Sequence, residues 1–253
     1  MEMHEDLSYS LFRVVTLNIL HDPPHLTWSR RAPLVEAGLI ALQPDIVLLQ
    51  EVAWPDEQAT SLAAALQVGA GRDFRAHITG LFATTGWQEG LTILSWFPCL
   101  DTSELEFPGA EKFCQRARFV INGETVDVYN SHLDPYSATR RQQQITMALE
   151  WTTEFGDADA VIFGGDLNGI PSSIEIAPLQ RNFRSAYEVA MGKDPDRIID
   201  YLWASRSLDV VHAGLSLDQS DRDDPSLYYP SDHLALHADF RMKREDLDSM
   251  KID

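Results

Sequence analysis

Only two of the 253 residues are cysteine, Cys99 and Cys114, and both sit in otherwise apolar surroundings. So few thiols exclude a disulfide framework and a thiolate metal site, and neither cysteine is a good nucleophile candidate. Positive charge is also scarce: 4 lysines and 16 arginines face 39 acidic residues, leaving a net charge of −19. That excess opposes non-specific adhesion to a long polyanion, and suits a small or locally presented anion better. No apolar run is long enough to cross a bilayer, and the acidic opening Met1-Glu2-Met3-His4-Glu5-Asp6 lacks an apolar core; a soluble, cytoplasmic protein is expected. No Pro/Gly/Ser-rich linker, repeat or low-complexity tract divides the chain. One domain over 1–253 is therefore expected, with mobile ends at 1–8 and 243–253. The acidic stretch Asp221 to Asp224 reads as solvated surface.

What the chain does have is a 44% hydrophobic content, ample for a sizeable core, in runs of two periods. The run Val161-Ile162-Phe163 ends in Gly164-Gly165 and delivers Asp166 and Asn168, two polar groups of the same parity, to a turn. Strands are expected at Phe12 to Ile19, Asp45 to Gln50, Phe74 to Thr79, Leu91 to Phe97, Ala117 to Ile121, Thr125 to Asn130, Ile198 to Trp203, Leu208 to Leu215 and Leu234 to Phe240. Asn122-Gly123 marks a hairpin. Helical spacing covers Trp28 to Leu42, Pro55 to Leu66 and Ser137 to Phe155, and a short helix follows Pro171. Strand runs interleaved with helices point to sheet packed on sheet with helices outside.

Polar groups gather at the strand ends: Asn18, Glu51, His132 with Asp134, Asp166 with Asn168, and Ser231-Asp232-His233. Asp200 adds a carboxylate inside an apolar strand. Buried carboxylates are costly unless paired or bound to a cation, and a set made of oxygen and imidazole points to Mg²⁺ or Mn²⁺. Asp134 reads better as a helix cap than as a catalytic group. His21, His25, His77, His212 and His237 lack such context and read as structural. Arginines cluster at Arg30-Arg31, Arg116 with Arg118, and Arg140-Arg141, where guanidinium forks can meet either phosphate or carboxylate partners. Arg116 and Arg118, with the loop aromatics Trp54, Trp87 and Tyr229, are the candidate substrate-binding residues.

These segments, Thr16-Leu17-Asn18-Ile19, Leu49-Gln50-Glu51-Val52, Glu89-Gly90-Leu91-Thr92-Ile93-Leu94-Ser95, Asn130-Ser131-His132-Leu133-Asp134, Gly165-Asp166-Leu167-Asn168, Ile199-Asp200-Tyr201 and Pro230-Ser231-Asp232-His233, stand in an order that resembles the endonuclease/exonuclease/phosphatase superfamily. The resemblance implies a four-layer α/β sandwich of the deoxyribonuclease I-like kind, two packed mixed sheets flanked by helices. It also implies a Mg²⁺- or Mn²⁺-dependent phosphoric ester hydrolase. Glu51 would be the principal metal ligand, with Asn18 and Asp232 completing or supporting the site. Asp166 would activate the attacking water, Asn168 would position it, and His132 and His233 would donate to phosphoryl oxygens with Asp200 holding His233. The expected partner is a phosphate-ester substrate, small or lipid-linked by preference, with short or single-stranded nucleic acid as the alternative. A non-catalytic binding module is the alternative of another class. A monomer is expected. The family often carries Arg or Lys after the Ile-Leu-Ser strand; Trp96 stands there instead, so one basic group near the site is expected to be missing. The short segment from Tyr187 to Ile198 leaves little room for an extended recognition loop.

Overall fold

The computed structural model describes residues 11–21, 27–54, 57–84, 87–109, 112–219 and 229–243. The expected mobile ends 1–8 and, but for Lys243, 243–253, together with His25 and the acidic stretch 221–224, lie outside them. Two six-stranded mixed sheets face each other. The first has the order β11 (Leu208–Ser216), β12 (Ala235–Met242), β1 (Phe12–Asn18), β2 (Ile46–Trp54), β4 (Trp87–Ser95), β3 (Arg75–Thr84). The second runs β5 (Cys99–Phe107), β6 (Lys112–Ile121), β7 (Glu124–His132), β8 (Ala160–Asp166), β10 (Asp200–Ala204), β9 (Arg184–Ser185). Helices α1 (Trp28–Leu42) and α2 (Gln58–Ala70) precede and follow β2, α3 (Ala138–Glu154) links β7 to β8, and α4 (Ala177–Asn182) and α5 (Ala186–Met191) flank β9. No helix among the described residues is long and apolar enough to cross a membrane.

Period-two alternation divides each strand between two environments. Val15, Leu17, Val47 and Leu49 pack with Val35 and Leu39 of α1 and Leu62 and Leu66 of α2. Their neighbours Phe12, Val14, Ile46 and Leu48 join the core that includes Val128, Ile162 and Leu202 of the second sheet. Polar residues cross the same interface: Gln50 Nε2 donates to Asn130 Oδ1 at 2.7 Å, and Asn130 Nδ2 donates to Leu49 O at 2.9 Å. Asn18, Gln50, Asn130, His132 and Asp166 thus share the inter-sheet side. Both cysteines are free thiols, Cys114 buried and Cys99 partly so. The edge strand β5 was not expected from its sequence, Cys99-Leu-Asp-Thr-Ser-Glu-Leu-Glu-Phe107. It carries acidic and hydroxyl groups on a largely solvent-facing side and borrows its hydrophobic cover from β6 and α3.

The same alternation corrects the reading of Arg116 and Arg118 as substrate-binding residues. Both project to the other face of the second sheet, where the fully buried Asp127 accepts from Arg116 Nη2 at 3.0 Å and from Arg118 Nε at 2.7 Å. Arg116 also lies 3.7 Å from the Phe155 ring centroid, and Arg118 binds Asp157. Two guanidinium groups held by one buried carboxylate are a structural knot, and its loss leaves Arg116 and Arg118 with only the exposed carboxylates Asp101 and Asp157 as ionic partners among the described residues. Asp127→Ala is expected to cost about 3–5 kcal/mol, read as a fall in the urea midpoint, whereas breaking the exposed Arg75–Asp73 pair is expected to leave that midpoint unchanged.

Candidate active site

The pairing registers bring the candidate residues to one edge of the sandwich. Parallel β1 and β2 align Asn18 with Gln50, parallel β7 and β8 align His132 with Asp166, and antiparallel β8 and β10 align Asp166 with Asp200. Glu51 reaches the same edge by breaking the rule. Strict alternation would turn it away from Gln50, but the β2–β4 register shifts between Leu49 and Val52, and Glu51 takes φ +58°. The bulge re-aims its carboxylate, and Asn168 and Leu20 beside the site also carry positive φ.

Asn18 is the hub of the cluster. Its Oδ1 accepts from Leu20 N at 3.0 Å, which turns Nδ2 toward the acids: 2.9 Å to Glu51 Oε1 and 3.1 Å to Asp166 Oδ2. Glu51 Oε2 accepts from His21 N at 2.7 Å. Asp166 Oδ2 further lies 3.6 Å from His132 Nε2 and 3.8 Å from His233 Nε2, and Oδ1 accepts from Asn168 N at 2.9 Å. Burial, then the charge of Asp200, pushes the Asp166 carboxyl up to about 7. His233 Nδ1 sits 2.8 Å from Asp200 Oδ2. Burial opposes the imidazolium, but the hydrogen bond and charge of Asp200, aided by Asp166 and Asp232, raise His233 to about 9. Asp166, Asp200 and His233 offer ligand atoms within 4.8 Å of one another, yet a protonated His233 has no lone pair to give a cation. As hydrogen-bonded here the trio fits a proton relay, and Glu51 adds a partly exposed carboxylate beside it.

Two groups here had little signal in the sequence. Lys112 Nζ stands 3.1 Å from His132 Nδ1 and 3.3 Å from Glu89 Oε1, and His21 Nδ1 lies 3.0 Å from Glu89 Oε2. Lys112 supplies the cation expected to be missing at Trp96, whose indole instead donates to Asp45 and lies under Arg72. Burial first, then the charge of Lys112, lowers His132 to about 3, so the ring is neutral. The ammonium lies within reach of both ring nitrogens, 3.1 Å from Nδ1 and 3.4 Å from Nε2, and Nε2 also faces Asp166 and Glu51. Burial disfavours ionised Glu89, but the His21 hydrogen bond and Lys112 hold its carboxyl down at about 2. His21 belongs to this network and is not merely structural. Arg31 is buried and donates to Ile19 O, Leu20 O and Pro230 O, tying the Asn18 turn to the His233 turn.

The family model for the endonuclease/exonuclease/phosphatase family matches residues 15–233, which include each of these groups. The chain belongs to this family. Nocturnin of Rattus norvegicus is 25% identical over 284 aligned residues, covering 87% of this chain and 60% of that protein, so the chain spans about 60% of that relative's length. The human Nocturnin catalytic domain with bound sulfate superposes at a TM-score of 0.77 and 22% identity, over 92% of this chain and 94% of that one. TDP2 from C. elegans gives 0.74 at 24% identity, over 94% and 78%. A family protein from Bacteroides thetaiotaomicron gives 0.78 at 16%, over 93% and 99%. Likeness at these identities establishes the fold. Proteins of the endonuclease/exonuclease/phosphatase family hydrolyse phosphoester bonds and use divalent metals.

Other candidates in this family member lie at the margin of the cluster or beyond it. Asp232 is exposed, with Oδ1 3.3 Å from Ser231 Oγ. The Asn168 amide donates to Leu133 O at 3.0 Å, so it braces the β7 turn against the β8 turn. Asp134 accepts from Tyr136 N and Ser137 N and pairs with Arg140, while Ser137 itself caps α3. Tyr229 is 55% exposed, two residues before Ser231. The side chains of Trp54 and Trp87 lie outside the described residues.

Proposed function

We propose that this chain is a divalent-metal-dependent phosphoesterase that hydrolyses a small phosphodiester or phosphomonoester by in-line attack of an activated water. The observation that carries the reading is Asp166: a buried carboxylate with a pKa near 7, flanked by two imidazole nitrogens at 3.6 and 3.8 Å. A base poised near neutrality takes a proton from water efficiently at physiological pH. Charged His233 is a donor for a phosphoryl oxygen, and neutral His132 is a second in the tautomer that carries its proton on Nε2. Asp200 holds His233 in place and keeps it protonated. Lys112, set against the His132 ring, helps keep it neutral. Glu51, steadied by Asn18 and His21 N and 21% exposed, fits a hard cation with oxygen preference. Mg²⁺ or Mn²⁺ bound there supplies charge neutralisation at the phosphoryl group.

The net charge of −19 supports a small substrate over a long nucleic acid. Exposed Tyr229 supports the second reading, short or single-stranded nucleic acid, which requires a steep loss of substrate affinity with salt. Turnover of bis-p-nitrophenyl phosphate tests the class. It is expected with Mg²⁺ or Mn²⁺ and not in EDTA. Glu51→Gln is expected to raise the half-saturating Mg²⁺ concentration by at least about tenfold. Absence of turnover on this ester and on nucleotide and lipid diesters would leave the non-catalytic binding module. Full activity in EDTA would remove the metal from the mechanism.

A further inference from the structure

His233 and the carboxylates it meets come from different sheets. Its turn leads into β12 of the first sheet, whereas Asp200 and Asp166, 2.8 and 3.8 Å from its ring nitrogens, lie at strand ends of the second. The β1–β12 ladder does not reach that turn, because its last pair toward the site is Thr16 with Leu236. Past that pair, side chains join the Asn18 turn to the His233 turn. Ser231 Oγ donates to Asn18 O at 2.6 Å and accepts from His233 N at 3.1 Å. A hydroxyl can do both at once, since it carries a donor and two acceptor lone pairs. The next two carbonyls, Ile19 O and Leu20 O, accept from Arg31 Nη1 at 2.6 Å and Nη2 at 2.9 Å, and Nη1 also reaches Pro230 O at 3.0 Å.

Each brace is itself held. Arg31 is in the first turn of α1 and buried; its Nε donates to Thr27 Oγ1 at 2.8 Å, and its guanidinium lies 5.4 Å from the Trp28 ring centroid. A planar fork reaches carbonyls of two separate turns from one position, which a single ammonium does not. Ser231 is buried too, so little water competes for Asn18 O. The Asn18 turn is the fixed end, because Asn18 pairs with Gln50 in the β1–β2 ladder and its amide meets Glu51 and Asp166. We propose that Ser231 and Arg31 are positioning residues for the hydrolysis: they hold the His233 turn on the Asn18 turn, so that the His233 ring meets the phosphoryl group where Asn18, Glu51 and Asp166 place it. Neither touches the reacting atoms; both act through His233. The inference rests on the phosphoesterase reading and adds to it what joins the two halves of the site.

Ser231→Ala deletes one oxygen and with it both bonds of the bridge. Circular dichroism and the urea midpoint establish that the variant is folded. With Mg²⁺ and bis-p-nitrophenyl phosphate its kcat is expected to fall at least about tenfold, since a small misplacement of a catalytic group is costly. KM and the half-saturating Mg²⁺ concentration are expected to stay within about twofold of wild type. Arg31→Lys, which keeps the charge but not the fork, is expected to lower kcat in the same way. The deciding comparison is made in His233→Ala. There the bridge has no ring to place, so adding Ser231→Ala is expected to change kcat by less than about twofold. Equal losses with and without the His233 ring would reduce the effect to general stability and overturn the proposal. A rise of about tenfold in half-saturating Mg²⁺ would move the effect to Glu51 and overturn it as well. Wild-type kcat in Ser231→Ala would overturn the positioning role and leave the phosphoesterase standing, and wild-type kcat in Arg31→Lys alone would remove Arg31 from it. Absence of turnover by the wild-type chain on this ester and on nucleotide and lipid diesters would overturn the phosphoesterase reading and the positioning role together.

Discussion

Asp166→Asn is expected to do two opposite things: reduce kcat by about 10²–10⁴-fold and make the metal-free protein more stable above neutral pH. The first follows from removing the base while keeping its shape, since Asn offers an acceptor to Asn168 N but cannot take a proton from water. The second follows from linkage. The Asp166 carboxyl stands at about 7 in the fold against an ordinary 3.8. A group raised in this way favours the native state while protonated, fully so below its unfolded value. That advantage is lost as pH rises through about 7, where the buried carboxylate must ionise next to Asp200. The amide has no such loss, so the gap between variant and wild type should open between pH 4 and 8 and reach on the order of a few kcal/mol in EDTA. Two losses trim the gain: Asp166 contributes to keeping the His233 imidazole charged, and with its oxygen toward Asn168 N the amide no longer accepts from Asn18 Nδ2. Urea unfolding at several pH values measures the gap, and addition of Mg²⁺ should narrow it by stabilising only the wild type. Parallel pH–stability curves would show that burying the charge costs nothing, and retention of more than a tenth of the activity would take the base away from Asp166.

That conflict between stability and chemistry was partly legible in the sequence. A carboxylate following Val-Ile-Phe-Gly-Gly has to end up near the core, and Asp200 within Ile-Ile-Asp-Tyr-Leu-Trp does too, so paired acids at strand ends could be named before any coordinates. The two-sheet architecture was legible for the same reason: apolar periodicity marks strands and helices, and the Asn-Gly turn between β6 and β7 fixes a hairpin. What was hidden depends on register and side. Arg116 and Arg118 look like a phosphate clamp until alternation from Gln115, which reaches His77 O across the interface, puts them on the opposite face with Asp127. Glu51 lies on the wrong parity for the site, and only a bulge with positive φ corrects it. Lys112 has no pattern around it; the β6–β7 ladder, which pairs Cys114 with Ser131, carries it to His132. The polarity of β5 resembled a loop because an edge strand need bury only part of itself.

Gly165→Ala is expected to have the largest effect on folding of a methyl added to any glycine whose surroundings the structure describes, and the comparison with Gly164 and Gly71 explains why. Gly165 takes φ +123°, which an L-residue rarely adopts, and an added Cβ would lie 2.0 Å from Ser131 O and 2.9 Å from its C and N. The obstruction is backbone near the end of the β7–β8 ladder, where Gly165 pairs with Ser131, so nothing flexible can yield. At Gly164 the Cβ meets Leu48 Cδ1 at 2.7 Å and Leu202 Cδ2 at 2.8 Å, side-chain ends that can shift, along with Tyr201 O at 2.9 Å. At Gly71, the C-cap of α2, φ is +67° but no heavy atom lies within 4 Å, so only the left-handed backbone is penalised, at about 1 kcal/mol. The expected order of destabilisation is therefore Gly165→Ala, then Gly164→Ala, then Gly71→Ala, with the first costing more than about 4 kcal/mol and the protein recovered mainly as aggregate. Urea midpoints for the soluble variants and the soluble fraction for Gly165→Ala provide the measure. A Gly165→Ala protein that unfolds at the wild-type midpoint would mean that β7 and β8 are not in this register. Since that register places His132 beside Asp166, the catalytic pairing would fall with it.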